Sequence, residues 1–287
     1  MLIANYIEKI KSKQCLFSYE IFSICRMVKE ILINEPNIIN LMSPICVLGD
    51  IHGQFDDLLS LMKIKGEVGK SKYLFLGDYV DRGPESIHIV MLLFCYKIIA
   101  PESVFFIRGN HEQKNINKIY GFHDEVIRIY KNELVYNEIN KVFEHLSIAA
   151  IVDNKYFCVH GGISDRTSLS NIKLIDRTKM IRDEDVVNDL FWSDPHTKTG
   201  CQPNQRGSGV LFGVDATKQF LVSNNLEMVI RSHQLVLQGY KFDHQNCVLT
   251  IWSAPNYMNR VKNPGVVLYI EPDKKVTNDS MLFYNKK

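Results

Sequence analysis

The stretch VLGDIHGQ, residues 47–54, ends an apolar run at a glycine and then sets an acid and an imidazole two positions apart. The run Ile45-Cys46-Val47-Leu48 reads as a short strand buried on both faces. Asp50 and His52 follow between Gly49 and Gly53, where the lack of a Cβ lets backbone and ligand approach closely. Alone, the motif has a bland reading: Asp50 caps a helix starting near QFDDLL, and His52 is a hydrogen-bonded structural histidine. Its meaning depends on how the other strands end.

Five more apolar runs end the same way. YLFL (73–76) enters GDYVDRG (77–83), and VFFI (104–107) enters RGNHE (108–112). YFCV (156–159) enters HGG, MVI (228–230) enters RSHQ, and VLTIW (248–252) enters SAPNY. Between the first two runs, Phe55, Leu58, Leu59 and Met62 repeat at helical spacing. Pro84 stands near the start of another helical stretch before VFFI, a position that proline tolerates. Strand, helix, strand, helix, strand predicts a parallel sheet in the first half. IAAIV-DNK-YFCV predicts a hairpin, and the last third, with VVLYI at 266–270, is strand-rich. Helical periodicity dominates the start of the chain, so residues 1–44 are expected to be N-terminal helices, 45–272 the core and 273–287 a short charged tail. The whole, residues 1–287, reads as one α/β domain of mixed sheets.

In open α/β sheets the ligand crevice lies beyond the carboxyl ends of the strands. If these strands share a sheet edge, all six motifs can converge on one place. The converging set is Asp50, His52, Asp78, Asn110, His160 and His233. Carboxylates and an amide oxygen are hard ligands and imidazoles are borderline, a mixture suited to Mn, Fe, Zn or Mg. Six such side chains exceed what one metal holds with positions left open for substrate. Two metals about 3.5–4 Å apart, sharing a ligand, fit better; either Asp78 or Asn110 could bridge. Arg82 and Arg206, the latter in the glycine-rich NQRGSG (204–209), offer guanidinium forks that match phosphate oxygens. His111 is left free to serve as a general acid, with Asp81 to orient it and stabilise its charge. His123, His145, His196 and His244 have no strand-end context and read as surface or structural. A purely structural account would need six strand ends to collect these residue types independently.

Composition sets limits. The chain has 287 residues, 46% hydrophobic and 23% charged, with 34 basic against 32 acidic residues and a net charge of +2. That balance argues against a general nucleic-acid or polybasic membrane surface. Seven cysteines, an odd number without a CxxC pair, read as reduced, mostly buried thiols of an intracellular protein. The N-terminal MLIANYIEKIKSKQ lacks a signal-peptide pattern, and no apolar run is long enough for a membrane span. The cytoplasm or nucleus is the expected location.

GDIHGQ, GDYVDRG, RGNHE, HGG, RSHQ and SAPNY, in this order and spacing, resemble the metal-dependent phosphoprotein phosphatase family of serine/threonine phosphatases. The likeness runs from the N-terminal helices to Ile270, and YGFHDE (120–125), FWSDP (191–195) and RSHQLVLQGY (231–240) are most similar to its type 2A branch. The resemblance implies the calcineurin-like metallophosphoesterase fold, a central β-sandwich of mixed sheets flanked by helices. It implies one metal on Asp50, His52 and Asp78, and another on Asp78, Asn110, His160 and His233, with Asp78 bridging. It further implies His111 as catalytic acid with Asp81 as partner, and Arg82, Arg206, Asn110 and Tyr257 as phosphate- or inhibitor-contacting residues. Two divalent cofactors, Mn, Fe or Zn, are implied, together with phosphoprotein substrates and regulatory subunits. The implied reaction is one-step hydrolysis of phosphoserine or phosphothreonine by a hydroxide bridging the metals, without a phosphoenzyme. Three departures stand out. Gly200-Cys201 replaces the family's Gly-Trp, Met258 replaces the cysteine of SAPNYC, and the chain ends MLFYNKK instead of TPDYFL. They imply an inhibitor groove without one aromatic wall and subunit assembly without the branch's usual tail. Two other readings compete. A dinucleoside polyphosphate hydrolase would share GDYVDRGP but not YGFHDE, SDP or SAPNY. A catalytically dead binding subunit would have lost a ligand or the acid, and each of these is present.

Overall fold

The computed structural model describes residues 2–286. Its strands, in chain order, are β1 (Ile38–Leu41), β2 (Ile45–Leu48), β3 (Tyr73–Phe75), β4 (Val104–Phe106), β5 (Ala149–Val152), β6 (Tyr156–Val159), β7 (Asp194–Pro195), β8 (Cys201–Pro203), β9 (Val210–Phe212), β10 (Met228–Arg231), β11 (Tyr240–Asp243), β12 (Val248–Ile251), β13 (Gly265–Ile270) and β14 (Met281–Tyr284). One sheet has the order β1-β5-β6-β10-β12-β11 and a second the order β14-β13-β2-β3-β4, with a small sheet β7-β9-β8 beside them.

Period-two alternation assigns each strand residue to a side. Val47, Leu74, Cys158, Ile230, Leu249 and Leu268 meet in one core between the two large sheets. Cys46, Leu48, Tyr73, Phe75 and Phe106 pack outward against helices, among them Ser18–Leu32, Phe55–Lys63, Ser86–Ile99 and Glu133–Phe143. On the opposite side Phe157, Val159, Val229 and Val248 pack against Leu190, Phe191, Phe220 and Leu221, from the helices Val186–Trp192 and Val214–Ser223. Both faces of both sheets are covered, so the strands read as unbroken apolar runs.

The parallel β2-β3-β4 ladder, with the helices Phe55–Lys63 and Ser86–Ile99 between its strands, follows the predicted alternation. The hairpin β5-β6 is antiparallel, and Asp153 and Asn154 hold its turn at φ of 54° and 55°. Three expectations change. The six motif-bearing strands do not share one sheet: β2, β3 and β4 belong to one and β6, β10 and β12 to the other. Face-to-face packing brings their carboxyl ends to a common edge. The first 44 residues are not all helical, because Ile38–Leu41 forms β1, parallel to β5; the segment between Pro36 and Pro44 is too short for a stable helix. The expected charged tail also carries structure. Met281–Tyr284 pairs antiparallel with β13, and Lys286 Nζ donates to Asp57 Oδ2 at 2.9 Å. Polar residues bracket MLFY on both sides and no motif follows it, so nothing in the sequence sets it apart from the charged tail.

Glu125 anchors a helix start. It accepts from the backbone N–H groups of Ser86 and Ile87 at 2.9 and 3.0 Å, and burial pushes its carboxyl up to about 7. The folded chain therefore holds this proton more tightly than the unfolded chain. Glu125 is expected to lower stability as pH rises from about 4.5 to about 7, by roughly 3 kcal/mol across that window. Urea unfolding on either side of the window should show a smaller loss for Glu125→Gln than for the wild-type chain.

Candidate active site

Loops from the two sheets are bonded to one another before any ligand is considered. Asp50 Oδ1 accepts from Ser232 Oγ at 2.5 Å and from His233 N at 3.1 Å, while Gly49 N donates to Ser253 Oγ at 2.8 Å. Asp50 is therefore not a helix cap; the helix Phe55–Lys63 starts at Gln54 without a side-chain cap. Buried Glu112 accepts from the backbone N–H groups of Asp78, Tyr79 and Gly109 at 2.8–2.9 Å, joining the GDYVDRG and RGNHE loops. Gly77, at φ 102°, allows this approach, since a Cβ there would sit 2.5 Å from Gly109 N. His52, Asp78, Asp81, Arg82 and His233 have φ of 48°, 54°, 71°, 67° and 69°. Left-handed backbone at a non-glycine residue costs about 1–2 kcal/mol. Such strain is held where the surroundings over-determine the geometry.

The ring orientations are set from behind. His52 Nδ1 faces the Val80 carbonyl and His160 Nδ1 the Leu76 carbonyl, each at 2.9 Å. Each Nδ1 thus carries the proton and each Nε2 turns a lone pair inward. His52 Nε2 lies 3.5 Å from both Asp50 Oδ2 and Asp78 Oδ2. His160 Nε2 lies 2.8 Å from Asn110 Oδ1, 3.1 Å from His233 Nδ1 and 3.4 Å from Asp78 Oδ1. His233 Nδ1 is 3.1 Å from Asn110 Oδ1. Converging acceptors in a dry pocket repel unless a cation lies among them. Turning the Asn110 amide over would let its nitrogen donate to both rings, but Asp50, His52 and Asp78 would still face one another. The donor set therefore fits divalent cations. Asp78 presents Oδ2 to His52 and Oδ1 to His160 and belongs to both groups of converging ligand atoms, whereas the Asn110 amide faces His160, His233 and, at 3.3 Å, the two Asp78 oxygens. Of the two candidate bridges, the geometry favours Asp78.

Charge points the same way. Burial holds His160 down to about 3 and His233 well below the usual imidazole range, the latter helped by His160 and Arg206. Both rings are neutral, the form that ligates metal. Burial, with Asp50 and Glu112 nearby, pushes Asp78 well above the usual carboxylate range. Burial also opposes ionisation of Asp50, but His52, His160 and the Ser232 hydroxyl outweigh it and hold that carboxyl low, and Asp50 in turn raises His52 against its burial; without a cation the balancing proton lies between His52 Nε2 and Asp50, where a cation would replace it.

His111 Nδ1 lies 2.6 Å from Asp81 Oδ2, and the other Asp81 oxygen accepts from Phe122 N at 2.8 Å. Burial pushes the Asp81 carboxyl up to about 7 and holds His111 well below its usual range. His111 Nε2 stands 3.9 Å from Asp78 Oδ2. Two groups have ligand atoms within 4.8 Å of one another: Asp78, His160 and His233; and His52, Asp78 and His111. His111 is thus in reach either as ligand or as proton donor, and its bond to Asp81 favours the second role. The Arg82 guanidinium lies 4.2 Å over the Tyr120 ring, which is 5.4 Å from the His111 ring. Tyr257 packs 5.5 Å from the His52 ring. Arg206 Nε donates to Asp194 Oδ2 at 2.6 Å and its NH2 to the His233 carbonyl at 3.4 Å. All the predicted site residues therefore gather at one cleft. Cys201 is half-buried in the small sheet opposite Phe212, and half-buried Met258 follows Tyr257.

Sequence reasoning gave no role to Glu112, Ser232 or Asp194. Asp194 Oδ1 accepts from fully buried Arg231 NH2 at 3.0 Å while Oδ2 holds Arg206. Its signal was an acid beside proline in FWSDP, uninformative until the fold brings Arg206 to it. Asp194→Asn is expected to raise KM for a phosphorylated substrate by about tenfold, with a smaller change in kcat. Steady-state kinetics would separate the two.

Two cation sites sharing one aspartate, flanked by two arginines and an acid-held imidazole, define a metal-dependent phosphoesterase. The family model for calcineurin-like phosphoesterases matches residues 43–237. Over 284 residues the chain is 43% identical to the serine/threonine-protein phosphatase 4 catalytic subunit of Kluyveromyces lactis, covering 99% of this chain and 92% of that one. It is 45% identical to the Saccharomyces cerevisiae protein of the same name, covering 88% and 82% of the two chains. A solved S. cerevisiae serine/threonine phosphatase with similarity to human phosphatase PP5 superposes with a TM-score of 0.93 at 34% identity, covering 99% and 96%. This chain belongs to the serine/threonine phosphoprotein phosphatases, within the calcineurin-like phosphoesterases.

Proposed function

We propose that this protein hydrolyses phosphoserine and phosphothreonine in protein substrates, as the catalytic subunit of an assembly with regulatory partners. One observation carries the reading: Asp78 turns Oδ1 to His160 and Oδ2 to His52, and Oδ2 stands 3.9 Å from His111 Nε2. The names of the relatives support protein substrates and a subunit role. All seven cysteines are free, which suits the reducing cytoplasm or nucleus.

Asp50, His52 and Asp78 would hold one divalent cation, and Asp78, Asn110, His160 and His233 the other; Mn, Fe and Zn suit this oxygen–nitrogen set. When bound, the pair supplies charge neutralisation at the phosphoryl group and an activated water for attack. Arg82 and Arg206 bind the phosphate oxygens and offset charge that develops there. Asp194 keeps Arg206 aimed, and Tyr120 supports the Arg82 guanidinium. With its carboxyl raised to about 7, Asp81 can keep its own proton toward Nδ1, which leaves the neutral His111 ring its proton on Nε2 to pass to the departing serine or threonine oxygen. None of these roles requires a covalent phosphoenzyme.

A phosphoserine peptide tested with and without added Mn is the direct assay. Metal-dependent phosphate release is expected, and single turnover in isotopically labelled water should place solvent oxygen in the phosphate with no phosphoprotein trapped. Turnover of a dinucleoside polyphosphate but not of the peptide would overturn the reading.

A further inference from the structure

Beside the catalytic cleft a cavity of about 440 Å³ opens between the segment following the turn Asn110–Glu112 and the loop before the helix Val186–Trp192. Gln113, Lys114 and Lys118 line one side and Met180 and Ile181 the other, with Glu144 contributing an acid. Three features of this wall point to a ligand. Lys114 and Lys118 are exposed. Neither enters an ion pair among the described residues, whereas Lys141 and Lys179 nearby do. Met180 is 84% exposed, an apolar side chain left in water at the rim. Gln113 is 7% exposed, and its amide nitrogen is buried without a hydrogen-bond partner. A bound carbonyl or carboxylate would satisfy such a donor.

The cavity is mechanically tied to the catalytic turn. Arg108 donates through Nε and NH2 to the Glu112 carbonyl at 3.3 and 3.2 Å, and through NH1 to the Arg177 carbonyl at 3.1 Å. One buried guanidinium thus joins the turn bearing Asn110 and His111 to the loop bearing Met180. Gln113 directly follows that turn.

We propose that this cavity docks an acidic segment of a partner protein, with an apolar side chain against Met180 and Ile181 and carboxylates at Lys114 and Lys118. Lysine charge at the rim, with only Glu144 to oppose it among the residues that shape the pocket, selects for negative charge. An apolar anchor flanked by charge is a general mode of peptide capture. The docking is independent of the hydrolytic reading, because none of its contacts uses a cation-site residue, Arg82, Arg206 or His111.

The test uses short labelled peptides, each with two adjacent apolar residues flanked either by Asp and Glu or by Lys and Arg, titrated by fluorescence anisotropy at low salt. Acid-flanked peptides are expected to bind at least about tenfold more tightly than base-flanked ones. Lys114→Glu with Lys118→Glu should abolish that preference, and Met180→Asp should weaken acid-flanked binding by a similar factor. Turnover of p-nitrophenyl phosphate should be unchanged in both variants, which reports separately on the folded catalytic site. If the lysine double variant lost that turnover through misfolding, Met180→Asp, a change at an exposed loop position, would decide alone. Absence of an acid preference in the wild-type protein, or acid-flanked binding unchanged in the folded variants, would overturn the proposal.

Discussion

Asp78→Asn is expected to remove both cations and to lower kcat by roughly a thousandfold or more. The substitution keeps the shape of the side chain but removes the charge shared by the two ligand groups. Its effect on stability should run the opposite way in cation-free protein. Asp78 is fully buried near Asp50 and Glu112, and its ionisation is disfavoured by burial and by both neighbours. Deleting that charge should raise Tm when chelator is present and abolish the rise in Tm that Mn gives the wild-type protein. Elemental analysis beside thermal melts would show both effects. A variant that kept two metals per chain would refute the bridging role.

His111→Asn is expected to lower kcat for a phosphoserine peptide by about 10²–10⁴-fold while leaving metal content near that of the wild type. The size of the loss should depend on the leaving group. Serine leaves as a poor, strongly basic oxygen and needs the proton from His111 Nε2; p-nitrophenolate does not. Turnover of p-nitrophenyl phosphate should therefore fall much less than peptide turnover. Loss of metal would instead place His111 among the ligands, within the group it forms with His52 and Asp78.

Much of this site was legible because its residues lie directly after strands, where short apolar runs make the boundary plain. Asp50, His52, Asp78, Asn110, His160 and His233 were identifiable from strand-end position and residue type, and the same positions gave His111 and Asp81. Their division between two sheets was not legible. Burial of both strand faces removes the alternation that would reveal which strands pair, and β13 joins β2 across more than two hundred residues of chain. Asp194, Ser232 and Glu112 were missed for a related reason. Their work is to bond one loop to another, and no local pattern marks a residue whose partner is remote. β1 and β14 are no shorter than β2 or β6, but Asn40 interrupts β1 and neither strand runs into a glycine-flanked motif that would mark its end.

The pairing of β13 with β2 places residues 265–270 beside residues 45–48. On the ribosome, the β2-β3-β4 unit emerges early, carrying Asp50, Asp78 and Asn110. His160 and His233 come much later, and β13, the strand that closes the sheet beside β2, later still. Contacts so distant along the chain form late, after loop closure has been met. A nascent chain accordingly has Asp50, His52 and Asp78, the ligands of one cation, well before it has His160 and His233, which complete the other, and β13 closes the sheet beside β2 only after both.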